Sequence, residues 1–289
     1  MRLMEPITLA NRQAQLPTGE TIAYCAEGAK RSFDDPALIL LHGFCGSSAY
    51  WRDVLPHLAD IGKVVVPDLR GHGSSTAPDA DVYDMNDFAD DIAGLLGEIA
   101  EERAVLIGHS LGGYVTLAFA EKYPDKLAGF GLVHSTANAD SDAAKANRDK
   151  AVETIGSQGI GVFADGLVPK LFAQSRAAAM KEQIAFAKEI GRGTSAAGAA
   201  ATVRGMKVRP DRNAVISRAE VPVLLLAGKE DGVIASEATF GDHQSESVHL
   251  VLLDGSGHMG MLEEPERMAA EIRGFAVRLL SGSGARADV

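Results

Sequence analysis

A serine with the surroundings of a nucleophile lies near the middle of the chain. Residues 108–112 read Gly-His-Ser-Leu-Gly, a G-x-S-x-G pattern centred on Ser110. The short apolar run at 104–107 is typical of a buried strand, and apolar residues at helical spacing follow the motif. A turn from strand to helix at one residue holds that side chain out from the sheet. We therefore expect the Ser110 hydroxyl at the carboxyl end of a central strand, with the Leu111 amide facing any oxyanion formed there.

A serine hydroxyl is a weak nucleophile at neutral pH, so it needs a general base, and the base needs a carboxylate to hold its tautomer. His258 follows the last predicted strand in a glycine-rich loop, and Asp231 follows the strand before it. Glu230 is the alternative acid, since it is shifted by only one residue. Four other histidines come earlier in the chain and have structural explanations: His42, His72, His109 and His134.

These motifs resemble the α/β-hydrolase fold family, in its capped branch with a serine nucleophile. The resemblance covers most of the chain outside residues 136–212. It implies a mostly parallel eight-stranded sheet flanked by helices, with a helical cap insertion. It also implies a triad of Ser110, Asp231 and His258 in the chain order that the fold uses. Related branches that open epoxides or displace halide have an aspartate at the nucleophile position, so a serine there excludes those reactions.

The resemblance assigns the second oxyanion donor to the Phe44 amide. The predicted strand at 37–41 runs directly into a glycine-containing loop, where the backbone can turn an amide into a cleft. His42 is expected to fix this loop. Cys45 is an alternative nucleophile beside the oxyanion hole, but no local feature lowers the pKa of its thiol.

The elements that must position these residues follow from the apolar pattern. Buried strands are predicted at 37–41, 63–67, 104–107, 127–133, 221–227 and 248–253, after two strands joined by a tight turn within 7–26. Helices are predicted at 50–58, at 85–99, after Ser110 and from Pro265. The loop at 68–75 is expected to be structural, with Asp68 and Arg70 pairing or holding neighbouring backbone. This alternation is typical of a doubly wound parallel sheet, whose ligands bind beyond the carboxyl ends of the strands.

Residues 137–212 interrupt the alternation with alanine-rich and charged sequence of helical propensity. We interpret them as a cap, and 1–136 with 213–289 as the core. Apolar candidates for the underside of the cap are Ile160, Phe163, Leu167, Leu171, Phe172, Ile184, Phe186 and Met206. Five residues are expected to contact substrate: His109, His134, Phe172, Phe186 and Met259.

Composition bounds the partners. The 289 residues have a formal net charge of -11, which argues against nucleic acid and anionic membranes and favours a mainly neutral substrate. Cys25 and Cys45 are too few for a disulfide framework. The N-terminal sequence carries no targeting signal, which predicts a cytoplasmic location. The chain is expected to be a monomer or a homodimer, and residues 281–289 are expected to form a frayed tail.

The predicted activity is hydrolysis of a carboxylic ester or lactone of small to medium size through an acyl group on Ser110, with no cofactor or metal. Two alternatives use the same triad, in a carbon–carbon bond hydrolase acting on a diketone or in a cofactor-free perhydrolase. A third alternative is a receptor-like protein that binds its ligand and turns it over very slowly.

Overall fold

An eight-stranded sheet runs through the computed structural model, which describes residues 6–30, 32–243 and 245–280. The strands are β1 (Arg12–Gln15), β2 (Thr21–Glu27), β3 (Ala37–Leu41), β4 (Val64–Pro67), β5 (Ala104–His109), β6 (Leu127–Val133), β7 (Val223–Gly228) and β8 (Val248–Leu253). Their spatial order is β1-β2-β4-β3-β5-β6-β7-β8. Strands β3 to β8 pair in parallel, while β2 is antiparallel to both of its neighbours. The predicted mostly parallel eight-stranded sheet is confirmed. The predicted tail at 281–289 lies outside the described residues.

The register of the parallel strands brings their carboxyl ends to one edge. Leu41 of β3 is paired with Gly108 of β5, and His109 is paired with Val133 of β6. On the other side of β6, β7 runs beside β8 and ends level with Leu253. The loops that follow β3, β5, β6, β7 and β8 therefore meet at this edge, which is where an open α/β sheet binds its ligands.

Helices cover both faces of the sheet. The α-helices of the described residues are α1 (Met85–Glu98), α2 (Leu111–Lys122), α3 (Asp142–Gln158), α4 (Ile160–Leu167), α5 (Lys181–Arg192), α6 (Ala196–Val208), α7 (Asn213–Ser217), α8 (Ser236–Phe240), α9 (Gly260–Glu263) and α10 (Pro265–Leu279). Helices α1 and α2 pack on one face, and α10 packs on the other. Strands β3 and β5 are buried along their whole length because both faces are covered. In the described part of the chain, no helix is both long and apolar enough to cross a membrane.

One local prediction differs from the structure, and of the two roles expected of Asp68 and Arg70 the holding of backbone is the one found. The helix predicted at 50–58 is a pair of 3₁₀ turns, Ser48–Trp51 and Leu55–His57, and Pro56 has no amide to continue an α-helical ladder. Asp68 and Arg70 do not pair with each other. Asp68 accepts from the Ser48 and Ser74 amides at 2.7 and 2.9 Å, and Arg70 forms a buried ion pair with a helical aspartate, Asp91.

The chain between β6 and β7 is helical. Residues 137–212 hold α3 to α6 and the 3₁₀ turn Val168–Leu171, with no strand. The two ends of this segment meet, because the Arg212 amide donates to the Ala137 carbonyl at 2.8 Å. Helix α6 is tied to the core where the Tyr83 amide donates to Ala201. The division into core and cap at these boundaries stays a prediction.

Candidate active site

Ser110 occupies a strained turn between β5 and α2. Its φ of 51° and ψ of -110° lie outside the regions that non-glycine residues prefer. Backbone bonds on both sides hold the turn: the Ser110 amide donates to Val133 at 2.9 Å, and its carbonyl accepts from Gly113 at 2.9 Å. The chain passes so close to itself that a Cβ on Gly108 would lie 2.1 Å from the Gly112 carbonyl oxygen. This is the geometry expected of a nucleophile elbow.

His258 and Asp231 form a buried pair at the same sheet edge. Nδ1 of His258 lies 2.7 Å from Oδ2 of Asp231, while Oδ1 of Asp231 accepts from the Val233 and Ile234 amides at 2.8 and 2.9 Å. The side chains are 3% and 0% exposed. Because the carboxylate accepts the Nδ1 proton, Nε2 of His258 is left as the ring's proton acceptor.

The environment of Asp231 favours the ionised carboxylate. Burial opposes ionisation, but the neighbouring His258 and His134 imidazoles outweigh it and hold the pKa of Asp231 well below its ordinary value. A carboxylate that stays charged near neutral pH can stabilise an imidazolium on His258.

Glu263, at the end of α9, holds the loop that carries His258. Its Oε1 accepts from the Gly257 and Met259 amides at 2.9 and 3.1 Å, the two residues that flank His258. Its Oε2 accepts from the Ala173 amide at 2.8 Å. Burial raises the pKa of Glu263, although the three amides oppose the rise. Glu263 is not among the site residues predicted from the sequence, where its only signal is an acid directly before the Glu264-Pro265 start of a helix.

His134 lies beside the carboxylate of Asp231. It is fully buried at φ 47°, and its Nδ1 is 3.4 Å from Oδ2 of Asp231. Glycines make room for the ring: a Cβ on Gly260 would lie 2.5 Å from Nε2, and one on Gly228 would lie 3.0 Å from Cε1. The ring thus contacts the acid of the pair, and the substrate contact expected of His134 stays a prediction.

His109 and Met259 are also buried, next to the loop that carries His258. The Nε2 of His109 donates to the His258 carbonyl at 2.8 Å, and the two rings are 5.0 Å apart. Burial holds the pKa of His109 well below its ordinary value, so this imidazole is neutral. Met259 is 0% exposed. Both residues lie against the backbone around His258, and the substrate contacts expected of them stay predictions.

Phe172 and Phe186 are the two aromatic residues of the insertion that were predicted to contact substrate. Phe172 is 1% exposed and belongs to the core under α10. Phe186 lies under the Arg52 guanidinium, 3.5 Å from the ring centroid, and Arg52 is itself 38% exposed. Phe172 thus fills the core and Phe186 packs under Arg52, and the substrate contacts expected of them stay predictions.

The loop after β3 passes close to Ser110 at Gly43. A Cβ on Gly43 would lie 3.3 Å from Cβ of Ser110. His42 was expected to hold this loop, and its ring bonds to backbone on both sides. Nδ1 donates to the Gly43 carbonyl at 2.8 Å, and Nε2 accepts from the Leu69 amide at 2.9 Å. Burial lowers the pKa of His42 to about 4.

The two amides assigned to the oxyanion hole have no competing acceptor. Among the described residues, neither the Phe44 amide nor the Leu111 amide donates a hydrogen bond to a protein atom. Leu111 is the first residue of α2, where an amide has no partner within the helix. Both N–H groups remain available for an oxyanion.

The alternative nucleophile and the alternative acid have different surroundings from Ser110 and Asp231. Cys45 is fully buried, and burial raises the pKa of its thiol, which disfavours the nucleophilic thiolate. Its carbonyl accepts from the Tyr50 hydroxyl at 3.2 Å. Glu230 is exposed and accepts from the Ser175 hydroxyl at 2.7 Å, so its carboxylate faces the surface.

A cleft of about 540 Å³ lies between this edge and the helical insertion. On the core side the cleft is bordered by Phe44, in the loop after β3, and by Val233, whose amide donates to Asp231. Phe163 and Leu167 of α4 and Val203 of α6 border it on the other. Phe163 meets Phe44 edge to face at 5.9 Å. A cavity of about 660 Å³ lies at the opposite end of the strands, remote from Ser110.

The sheet order and the turn at Ser110 are those of the α/β-hydrolase fold. A model of the alpha/beta hydrolase family matches residues 38–271. The chain belongs to that family. In the residues that the structure describes, no three His, Cys, Asp or Glu side chains are grouped so as to hold a metal ion.

Similar proteins have several hydrolytic activities. A thermophilic esterase from Thermogutta terrifontis, solved with malate bound, is 31% identical with a TM-score of 0.85, over 93% of this chain and 98% of that one. A 2-(acetamidomethylene)succinate hydrolase from Mesorhizobium japonicum is 36% identical over 108 residues, which are 37% of this chain and 38% of that protein. Epoxide hydrolase A of Mycobacterium tuberculosis is 40% identical over 95 residues, 32% of this chain and 30% of that one. The matched stretch thus spans less than half of these two curated relatives.

Proposed function

We propose that the chain is a serine hydrolase that cleaves carboxylic esters or lactones of small to medium size through an acyl-enzyme on Ser110. One observation carries the proposal. The 2.7 Å pair of His258 and Asp231 stands at the same sheet edge as the strained Ser110 turn. Nucleophile, base and orienting acid are the three parts that acyl transfer to serine requires.

The chemistry follows from the proton positions. As Ser110 Oγ attacks the ester carbonyl, Nε2 of His258 takes the hydroxyl proton and the carbonyl oxygen becomes an oxyanion. The amides of Phe44 and Leu111 donate to that oxyanion. His258 then gives its proton to the leaving alkoxide, so the C–O bond breaks and an alcohol departs. Water attacks the acyl-enzyme with His258 again as base, which releases the acid and restores Ser110.

Asp231 acts through His258. Its carboxylate holds the ring with Nδ1–H towards itself and offsets the positive charge that develops on the imidazole. The two amides on Oδ1 keep the carboxylate from rotating. The preference for ester chemistry is supported by the Thermogutta terrifontis esterase, which aligns over 93% of this chain. Epoxide-opening enzymes that resemble this chain have an aspartate at the nucleophile position. This chain has Ser110 there, so epoxide opening is not part of the proposal.

Mass spectrometry with a phosphonate probe tests the proposal directly. An aryl alkylphosphonate should lose its aryloxide and phosphonylate wild-type protein on the peptide that contains Ser110. Ser110→Ala should remain unlabelled and lose turnover of ethyl esters by a factor on the order of 10³ or more. Cys45→Ala should be labelled as wild type and serves as the control.

A substrate panel separates the remaining activities. Ethyl esters, lactones, a diketone and an acid with peroxide should be compared by kcat/KM. We expect esters or lactones to be the best substrates. Faster cleavage of the diketone or faster peracid formation would move the proposal to the same triad acting on another bond. Labelling of Ser110 with no turnover of any substrate would instead indicate a ligand-binding protein.

A further inference from the structure

The cleft beside the oxyanion loop differs in charge from the rest of the molecule. The chain has 39 acidic and 28 basic residues. The cleft is lined by Arg148 and Lys170 and by no acidic side chain. Both cations lie on the insertion, across the cleft from Phe44 and Val233.

Within the described residues, Arg148 uses only part of its hydrogen-bonding capacity. Its Nε donates to Oδ2 of Asp140 at 3.0 Å, and Arg209 donates to Oδ1 of the same carboxylate at 2.5 Å. Two guanidinium groups therefore share one negative charge, and despite burial they hold the pKa of Asp140 below its ordinary value. Among the described residues, the two Nη groups of Arg148 donate to no protein acceptor. A guanidinium with both Nη groups available can bind a carboxylate in bidentate fashion.

Lys170 adds a second charge close to the catalytic loop. It is exposed, in the 3₁₀ turn Val168–Leu171, and forms no ion pair with any described residue. The next residue, Leu171, accepts from the His258 amide at 2.7 Å. The backbone that carries Lys170 is thus fixed relative to the proposed base.

Apolar side chains line the space between the oxyanion loop and the two cations. Phe44 and Phe163 pack edge to face, with Leu167, Val203 and Val233 completing the wall. Resting on the proposed ester hydrolase function, we propose that the cleft binds acyl groups that end in a carboxylate. The methylene chain would contact the apolar wall, and the carboxylate would bind Arg148 and Lys170.

This site reverses the expectation drawn from net charge. At physiological ionic strength the Debye length is about 8 Å, so the many distant acidic residues are largely screened while cations in the cleft are not. A substrate therefore responds to the lining of the cleft, and the expected preference for neutral substrates gives way to a preference for a terminal carboxylate.

Two esters of equal chain length test the proposal by pH-stat. Monoethyl adipate and ethyl hexanoate differ only in a terminal carboxylate or methyl group. We expect wild type to have the higher kcat/KM on monoethyl adipate. Arg148→Gln and Lys170→Gln should each lower the adipate-to-hexanoate ratio about tenfold, as expected for loss of a charged contact to substrate. Their rate on ethyl hexanoate reports whether the fold and the catalytic groups are intact.

The matched control is Lys150→Gln, which removes the same charge from an exposed position of α3 outside the cleft. Its ratio should stay within about twofold of wild type, and about 1 M salt should lower the wild-type ratio. If wild type prefers ethyl hexanoate, or if both cleft variants keep the wild-type ratio, the carboxylate site is wrong while the ester hydrolase stands.

A binding measurement keeps the site testable without turnover. If neither ester is cleaved, the proposed function fails, and calorimetric titration with monoethyl adipate then decides the site alone. Binding to wild type that is lost in Arg148→Gln supports it. Equal binding to both proteins, or no binding to wild type, overturns it.

Discussion

At the scale of single residues, Asp231 and Glu230 have the same chemistry and different surroundings. Asp231 accepts from two amides and His258, with His134 behind it, whereas Glu230 is exposed and contacts Ser175. Asp231→Asn should lower kcat by a factor on the order of 10³ to 10⁴ with a much smaller change in KM, because the carboxylate acts on an imidazolium present only in the transition state. Steady-state kinetics on one good ester measures both constants.

Glu230→Gln is the matched control for Asp231→Asn, since it removes the neighbouring charge without touching His258. We expect its kcat to stay within about threefold of wild type, as for a surface change away from the reacting groups. A damaging Glu230→Gln and a mild Asp231→Asn would show that the acid is assigned one residue too late.

The residues that could be predicted from the sequence are those whose role follows from position along one strand. Ser110, Asp231 and His258 each come after a buried strand, and parallel register carries such positions to one edge. The positions of His134 and Glu263 depend on which loops pack together. His134 fits behind Asp231 only because two distant glycines leave room for its ring, and no local pattern encodes that contact.

At the scale of elements, the loop between β8 and α9 depends on one carboxylate. Glu263 joins the amides on both sides of His258 to Ala173 in the insertion. We regard it as a positioning residue. Glu263→Gln keeps one acceptor oxygen but places a carboxamide NH2 group, which is a donor, opposite a backbone N–H donor, so at least one hydrogen bond is lost. We expect kcat to fall about tenfold to a hundredfold with little change in KM, because a misplaced base costs more in the transition state than in substrate binding.

Glu264→Gln separates a role at His258 from a general loss of loop structure. Glu264 accepts from the Gly255 amide at 3.0 Å in the same loop, whereas in the described part of the chain the Gly257 and Met259 amides donate to Glu263 and not to Glu264. Its kcat should remain near that of wild type. Equal losses of kcat in both variants, with equal losses in unfolding free energy, would reduce Glu263 to a structural residue.

The wall of the cleft gives a second prediction for an element, the helix α4. Phe163 packs edge to face on Phe44 and lines the cleft, so Phe163→Ala should enlarge the space for an acyl chain. Its kcat/KM should shift towards longer esters by about tenfold relative to ethyl acetate, since a hydrophobic pocket discriminates by about 1 to 3 kcal/mol. An ester series with increasing chain length measures the shift. Phe186→Ala, at the surface under Arg52, should leave the profile unchanged, and an identical shift in both variants would contradict this assignment.

The strands and helices of the sheet region could be predicted from the sequence. For the insertion, only its helical secondary structure could be predicted. Buried strands such as β3 and β5 are short apolar runs, so pattern alone locates them. The helical nature of 137–212 follows from alanine-rich sequence. Which of its apolar residues face the cleft does not, because Phe163 and Phe172 are equally apolar and only packing distinguishes a cleft wall from the core.

At the scale of the whole molecule, the carboxyl edge of the sheet concentrates histidines that the fold keeps neutral. Burial lowers the pKa of His42 to about 4 and of His72 to about 3. It also lowers the pKa of His109 and His134. All four lie beside the loops that carry the proposed active site, so the stability of this edge is coupled to pH.

The sign of that coupling follows from proton binding. Below about pH 6.5 these histidines take up protons in the unfolded chain but stay neutral in the fold, so the unfolded state gains stability as pH falls. Each contributes about 1.4 kcal/mol per pH unit until its folded pKa is reached. The unfolding free energy should therefore fall between pH 6.5 and 5, as measured by urea denaturation. His72→Gln should reduce the slope by about 1.4 kcal/mol per pH unit, whereas His57→Gln, at an exposed position, should not. An unchanged slope in His72→Gln would mean that this imidazole is charged in the fold, and that the Arg70 carbonyl to which its Nδ1 donates at 2.9 Å stabilises an imidazolium.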